Sequence, residues 1–169
     1  MFGTVCQEKT TPMKTRKSKR KIIIIAAACI LFATLFILFV RFQYSISKGG
    51  ISRYVKTHQT ELTAYINQLD RNVVVKEDNW NGMRVTWSFE EQSKMIMFEV
   101  YYFGFPSTFN ARGFYYSPDD EPLPYSAGSP ADYPLESKGS EWVWNEPDGD
   151  NWYKTEKIMD CWYYYQMHW

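Results

Sequence analysis

Six aromatic residues in the C-terminal third have the types and the company to hold a small polar ligand: Trp142, Trp144, Trp152, Tyr153, Trp162 and Tyr164. Flat rings cover the apolar C–H patches of a sugar while nearby carboxylates and amides bond its hydroxyls, and Asp148, Asp150 and Asn151 lie just ahead of Trp152. Rings also cage quaternary ammonium groups through the negative potential of their faces. A structural reading competes. The stretch DNWYKTEKIMDCWYYYQMHW, residues 150–169, is aromatic or Met at nine of its twenty positions. As one long strand, it places Met159, Cys161, Tyr163, Tyr165 and Met167 on one face and Ile158, Trp162 and Tyr164 on the other. Both faces are largely apolar, as in a central strand with one face under a helix. The Tyr163 face reads as core, with Cys161 as a small buried hydrophobe. The Trp162 face is open between core and groove floor.

Other chemistry is thin. Oxygen ligands at Asp119-Asp120-Glu121 or Asp148-Gly149-Asp150-Asn151 would suit calcium. An EF-hand loop begun at Asp148, however, puts Trp152 and Tyr153 where an acidic residue and a glycine are required. Solvated turns favour the same Asp, Asn and Gly for reasons of backbone geometry. The two histidines are His58 and His168. No G-x-S-x-G, HExxH or paired-cysteine signature accompanies them. His58 falls on the apolar side of a helical segment and reads as a core histidine rather than a base. These features predict a non-catalytic protein with no cofactor and no resident metal.

The elements that must position these residues begin with an apolar run. Residues 22–40, IIIIAAACILFATLFILFV, are 19 positions without a charge. As a helix they measure roughly 28 Å, close to a hydrocarbon core of about 30 Å. A helix satisfies its own backbone groups and so can cross where water is absent. Thr34 can bond back to the preceding turn. Two alternatives are a cleaved secretory signal, with Ser45-Ile46-Ser47 near the cut, and a lipoprotein signal acylated at Cys29. The run is longer than a usual signal core of about 7–15 residues. Position 26 holds Ala where a lipoprotein signal carries Leu, and eleven more apolar residues follow Cys29. An uncleaved signal-anchor is the expected state.

Charge sets the expected orientation. Seven basic residues and one acidic residue precede Ile22, leaving 12 basic and 18 acidic from residue 41 onward. Six of the eight residues 14–21 are Lys or Arg. Beside a spanning helix such a cluster is topogenic rather than a nucleic-acid patch, and it stays cytoplasmic. The expected location is the plasma membrane, single-pass, with the N-terminus cytoplasmic and the C-terminal domain outside. Cys6, Cys29 and Cys161 then occupy three different environments, so no internal disulfide is expected.

The expected organisation is a basic tail over 1–21, a transmembrane helix over 22–40, a connector over 41–50 with a break at Gly49-Gly50, and an extracytoplasmic domain over 51–169. Residues 51–70 repeat apolar side chains at i, i+3 and i+4: Ile51, Tyr54, Val55, His58, Leu62, Tyr65, Ile66 and Leu69. One amphipathic helix with Ser52 as its cap is predicted. Strands are predicted near residues 72–76, 84–90, 94–103, 113–117, 141–145 and 156–169. Ile96, Phe98, Val100 and Tyr102 should share one face. Asn79-Trp80-Asn81-Gly82 supplies a turn, Glu91-Gln92-Ser93 is hairpin-sized, and residues 117–139 form a Pro-rich surface loop. The fold class is α+β: one N-terminal transmembrane helix, then an amphipathic helix packed on an antiparallel β-sheet.

Two resemblances follow from particular stretches. Trp152-Tyr153-Lys154 followed by Trp162-Tyr163-Tyr164 is similar to the aromatic hairpins of choline-binding cell-wall repeats. Those repeats come in tandem with Gly in their turns, and this chain has one copy without that Gly. The stretches GFYYSPDD, EWVWNEPDGDNWY and TEKIMDCWYYY, behind a basic tail and one apolar span, resemble uncharacterised bacterial membrane-anchored proteins with small ectodomains over roughly residues 84–169. That resemblance implies a bacterial cell-envelope location and brings no activity. The expected function is a non-catalytic domain binding an envelope component or a partner protein. The alternative is a carbohydrate- or choline-type ligand module using the six aromatics. Expected partners are the lipid bilayer, through residues 22–40, and an envelope polysaccharide or membrane protein, with no nucleic acid.

Overall fold

The structure is a computed structural model describing residues 15–69, 76–90, 93–105, 108–125 and 133–169. It divides into two compact units, Met1–Phe42 and Gln43–Trp169. Residues 1–14 of the tail expected over 1–21, and 72–75 of the β-branched run expected over 72–76, lie outside the described residues; residues 15–21 are helical.

The first unit is helical. Helix α1 covers Thr15–Ser45, and its segment Ile22–Ser45 is long and apolar enough to cross a membrane, with none of its apolar window buried. Thr34 Oγ1 donates to Ile30 O at 2.9 Å, so the one hydroxyl of the 22–40 run is satisfied within its own helix.

In the second unit α1 gives way to α2, Lys48–Thr57, and α3, Gln59–Ile66. The break falls at Ile46-Ser47 rather than at the two glycines. Ser47 caps α2, its Oγ accepting from Gly50 N at 3.2 Å. Gly50 lies inside the first turn because a Cβ there would sit 2.0 Å from Tyr44 O. Ser52 is thus not the cap. The predicted single helix is interrupted at His58 (φ −112, ψ 17), yet its apolar face survives the break. Ile51, Val55, Leu62 and Ile66 are buried, and Tyr54, Tyr65 and Leu69 pack beside them.

Eight strands form one antiparallel sheet: β1 Lys76–Trp80, β2 Met83–Glu90, β3 Ser93–Phe105, β4 Thr108–Tyr116, β5 Glu136–Lys138, β6 Glu141–Asn145, β7 Trp152–Met159 and β8 Trp162–His168. Their spatial order is β1-β2-β3-β4-β8-β7-β6-β5, so two four-stranded meanders meet along a β4/β8 seam. Asn81 (φ 51) and Gly82 (φ 83) make the β1–β2 turn, with both residues left-handed as a two-residue hairpin favours.

Three predicted features change. The long last strand is a β7–β8 hairpin turning at Asp160-Cys161, with Met159 opposite Trp162 and a register shift between Lys157 and Met159. Cys161 is therefore a half-exposed turn residue rather than a buried hydrophobe. In β3 a bulge between Glu99 and Tyr101 reverses the alternation. Ile96 and Phe98 face the helices, whereas Tyr102, opposite Ala111, belongs to the other face. Finally, both sheet faces are core. Helices α2 and α3 cover Val85, Phe98, Phe114, Trp162 and Tyr164. The segment after β4 brings Leu123, Tyr125, Tyr133 and Leu135 over Met97, Tyr115, Tyr153, Tyr163 and Tyr165. The Pro-rich loop is thus a cover for the second face, and the helices lie over the Trp162 face rather than the Tyr163 face.

Candidate binding groove at one end of the sheet

Strand direction gives the sheet two distinct ends. One carries the Asn81-Gly82 turn, the β3–β4 hairpin tip, the 146–151 turn and the start of α2 near Tyr44. The other carries the β2–β3 connection, Ser117, the β5–β6 turn and the Asp160-Cys161 turn. One described cavity at the first end lies beside α2. It has a volume of about 410 Å³. Ile51, Tyr54, Met83 and Val100 give it an apolar floor, and Ser45, Arg53, Thr57 and Asn81 rim it. Gly50 shapes it by letting α2 come up against the Tyr44 backbone. The β3 bulge positions Val100. Tyr54 stacks on the His58 ring at 4.2 Å, and burial holds its hydroxyl protonated above the usual phenol range, with a side-chain bond to Asn81 pulling the other way. The groove therefore offers apolar area, the phenols of Tyr44 and Tyr54, one guanidinium, and the side chains of Ser45, Thr57 and Asn81. Such a lining holds an apolar chain or side chain better than a sugar, whose hydroxyls need many more polar partners.

The six aromatics do not share one surface. Trp142, Trp144 and Tyr153 lie on the loop-covered face, and Trp162 and Tyr164 lie on the helix-covered face. Trp144, Tyr153, Trp162 and Tyr164 are buried, at 8, 1, 1 and 4% exposure, so their rings are occupied by packing. Trp152 is half-buried and stacks on His168. The tyrosines of the β7–β8 hairpin do something else. Their hydroxyls and those of β4 fasten the covering loop. Tyr115 OH accepts from Leu123 N at 3.0 Å, and Tyr153 OH donates to Leu123 O at 3.1 Å. Tyr163 OH donates to Asp120 O at 2.7 Å.

Asp120 is a residue whose role the sequence did not reveal. It is left-handed (φ 54). Its carboxylate accepts from Lys157 Nζ at 2.6 Å and from Cys161 N at 2.7 Å. This second bond holds Cys161 in its own left-handed conformation (φ 64), which a non-glycine residue adopts only when its surroundings dictate it. Lys157 and the Cys161 amide hold the Asp120 carboxyl below the usual carboxylate range. The same carboxylate, after burial, pushes Tyr163 up to about 12 and raises the Cys161 thiol, which therefore stays protonated. Because the folded form of Asp120 favours the charged state, its contribution to stability is complete above the ordinary carboxylate range. It is lost as pH falls through and below that range. Asp120→Asn is accordingly expected to lower the melting temperature at pH 7 and to flatten the acid limb of a stability-against-pH curve. An unchanged acid limb would remove Asp120 as the latch.

The two histidines are held by local contacts. His58 Nδ1 lies 3.0 Å from Tyr54 O and from Thr57 Oγ1, so that nitrogen is taken up at the helix break. His168 Nδ1 is 3.2 Å from Asn110 Oδ1, and its Nε2 is 3.9 Å from an Asp150 carboxylate that is 91% exposed. Among the described residues no three His, Cys, Asp or Glu side chains cluster for a metal. The β3–β4 tip was also missed. Tyr102, Phe103 and Phe105 are exposed, and the signal lay in Gly104 and Pro106, which break the strand pattern of YYFGFPSTF. Neither a known protein family, nor a curated protein, nor a solved structure matches this chain.

Proposed function

We propose that this chain is a single-pass, membrane-anchored protein of a bacterial envelope. Its C-terminal domain lies outside the cytoplasm and binds, without catalysis, an apolar segment of a membrane protein partner. The observation that carries this reading is the apolar groove whose wall includes Tyr44 and Ser45, the last turn of the apolar helix. Tyr44 follows the apolar run by only four residues, which favours a partner held in the same bilayer. The basic cluster at 14–21 supports a cytoplasmic N-terminus. The apolar lining and the burial of four of the six aromatics favour a protein segment over a polysaccharide or choline.

Photo-crosslinking of the full-length protein in membranes tests the proposal. A benzophenone amino acid replacing Met83 should give one discrete protein adduct. The adduct should disappear when Val100→Asp puts a charge on the groove floor, while the same probe at Ser140, at the other end of the sheet, gives none. Equal adducts from both positions, or adducts that survive Val100→Asp, would sink the groove as the binding site.

A further inference from the structure

Next to the start of α2, the helix-side face of the sheet carries a row of donors. Arg112 on β4 lies opposite Gln166 on β8, and Gln166 lies opposite Lys154 on β7. Residues opposite one another in antiparallel strands share a face, and neighbouring strands are about 4.8 Å apart, so the three stand side by side. All three are half-buried. The adjoining row is Phe114, Tyr164 and Glu156, and there Lys48 of α2 bonds Glu156. Rings brace the two cations. Arg112 Cζ lies 5.9 Å from the Tyr101 ring centre, and Lys154 Nζ lies 6.0 Å from that of Trp152.

What the row lacks is an acceptor. Lys48, Arg84, Lys138 and Lys157 each pair with a carboxylate. Among the described residues no carboxylate pairs with Arg112 or Lys154. Arg112 Nε is buried without a hydrogen-bond partner, a state that native structures rarely leave unexplained. Gln166 Oε1 accepts from Tyr164 OH at 3.2 Å, so its amide N–H groups remain to donate. In the row on the other side, Asn110 Oδ1 is engaged by His168 Nδ1 at 3.2 Å, which leaves a further amide donor. The group that fits accepts hydrogen bonds, donates none and is negative, as a carboxylate is.

We infer that this row receives the carboxylate of an Asp or Glu side chain on the protein segment that fills the groove. The inference rests on the groove reading above. Val100 on the groove floor and Tyr101 beside Arg112 are successive residues at the β3 bulge, so groove and row are continuous. Charge selects the occupant. From residue 41 onward the chain has 12 basic and 18 acidic residues, and the exposed Asp150 lies 3.9 Å from His168 in the row next to Gln166. A polyanion, such as an acidic glycan, meets that repulsion along its length. One carboxylate on an otherwise apolar segment does not. The apolar part supplies area in the groove, and the donor row supplies register and the choice between partners.

The test uses the full-length protein in membranes and two crosslinkers. The benzophenone at Met83 reports the groove. A water-soluble carbodiimide joins an amine to a carboxylate with no spacer, so it reports what Lys154 touches. Peptide mass spectrometry should find Lys154 joined to an Asp or Glu of the same protein that Met83 captures. Lys154→Met should lower the Met83 adduct about tenfold, the scale of one charged hydrogen bond, and Lys154→Arg, which keeps the charge, should restore it. If Met83 captures a partner while Lys154 is joined to none, or only to Glu156 of its own chain, the inference is wrong and the groove stands. The same holds if Lys154→Met leaves the Met83 adduct at its wild-type level. If added polygalacturonate abolishes the Lys154 link and spares the Met83 adduct, the row belongs to a glycan and the inference is again wrong. If Met83 captures nothing, the groove reading falls and the inference falls with it.

Discussion

Trp162→Ala is expected to destabilise the C-terminal domain as severely as Tyr163→Ala, by about 3–5 kcal/mol each. The two residues are neighbours on β8 and point to opposite faces of the sheet, and both are 1% exposed. Trp162 packs on Phe98, Phe114 and Tyr116 beneath the helices. Tyr163 stacks on Tyr115 at 5.2 Å beneath the loop and also holds Asp120. A domain of this size has a total stability of only about 5–15 kcal/mol, so either loss should be plain. Thermal and urea unfolding of the fragment 43–169, with each substitution alone, measures it. If Trp162→Ala left the melting temperature nearly unchanged while Tyr163→Ala collapsed it, the helix-covered face would be a surface after all.

Leu35→Arg has the second large expected effect, on membrane retention rather than folding. It places a guanidinium near the middle of the candidate span Ile22–Ser45. The insertion cost at a helix centre is about 2.5–3.5 kcal/mol. The fraction of protein that resists alkaline extraction from membranes should fall sharply. Retention equal to wild type would show that residues 22–40 do not span. Sequencing the N-terminus of the extracted wild type separates a further outcome, since a mature chain beginning near Lys48 would make the segment a cleaved signal.

Much of the architecture was legible because it is locally encoded. The apolar run, the Asn81-Gly82 turn, the β6 strand and the buried side of residues 51–69 follow from composition and period alone. What was missed is set by contacts between distant residues. No glycine marks the β7–β8 turn. Cys161 is held left-handed by Asp120, 41 residues away in the chain, and such support leaves no trace in a local pattern. The bulge beside Val100 reverses which residues face inward beyond it, so alternation misassigned Tyr102. Helical period carried through His58 because a short break barely alters which side chains face the sheet. The six aromatics are common to cores and to ligand platforms. Residue type could not separate the two; the helices over Trp162 and Tyr164, and Leu123, Tyr125, Tyr133 and Leu135 over Trp144 and Tyr153, assign four of them to the core.

The β4/β8 seam has a consequence for how this chain must be made. Each buried cluster draws side chains from both meanders: Phe98 and Phe114 meet Trp162 and Tyr164 on one face, and Met97 and Tyr115 meet Tyr153 and Tyr165 on the other. Neither meander encloses a core by itself. During synthesis the first four strands therefore emerge with α2 and α3 available for the Phe98 face but with Met95, Met97 and Tyr115 uncovered, until residues beyond Tyr163 leave the ribosome. The partly made domain is a sticky, aggregation-prone species. If the domain crosses a membrane, the half-made chain is best kept extended in transit and allowed to close only once β8 has arrived.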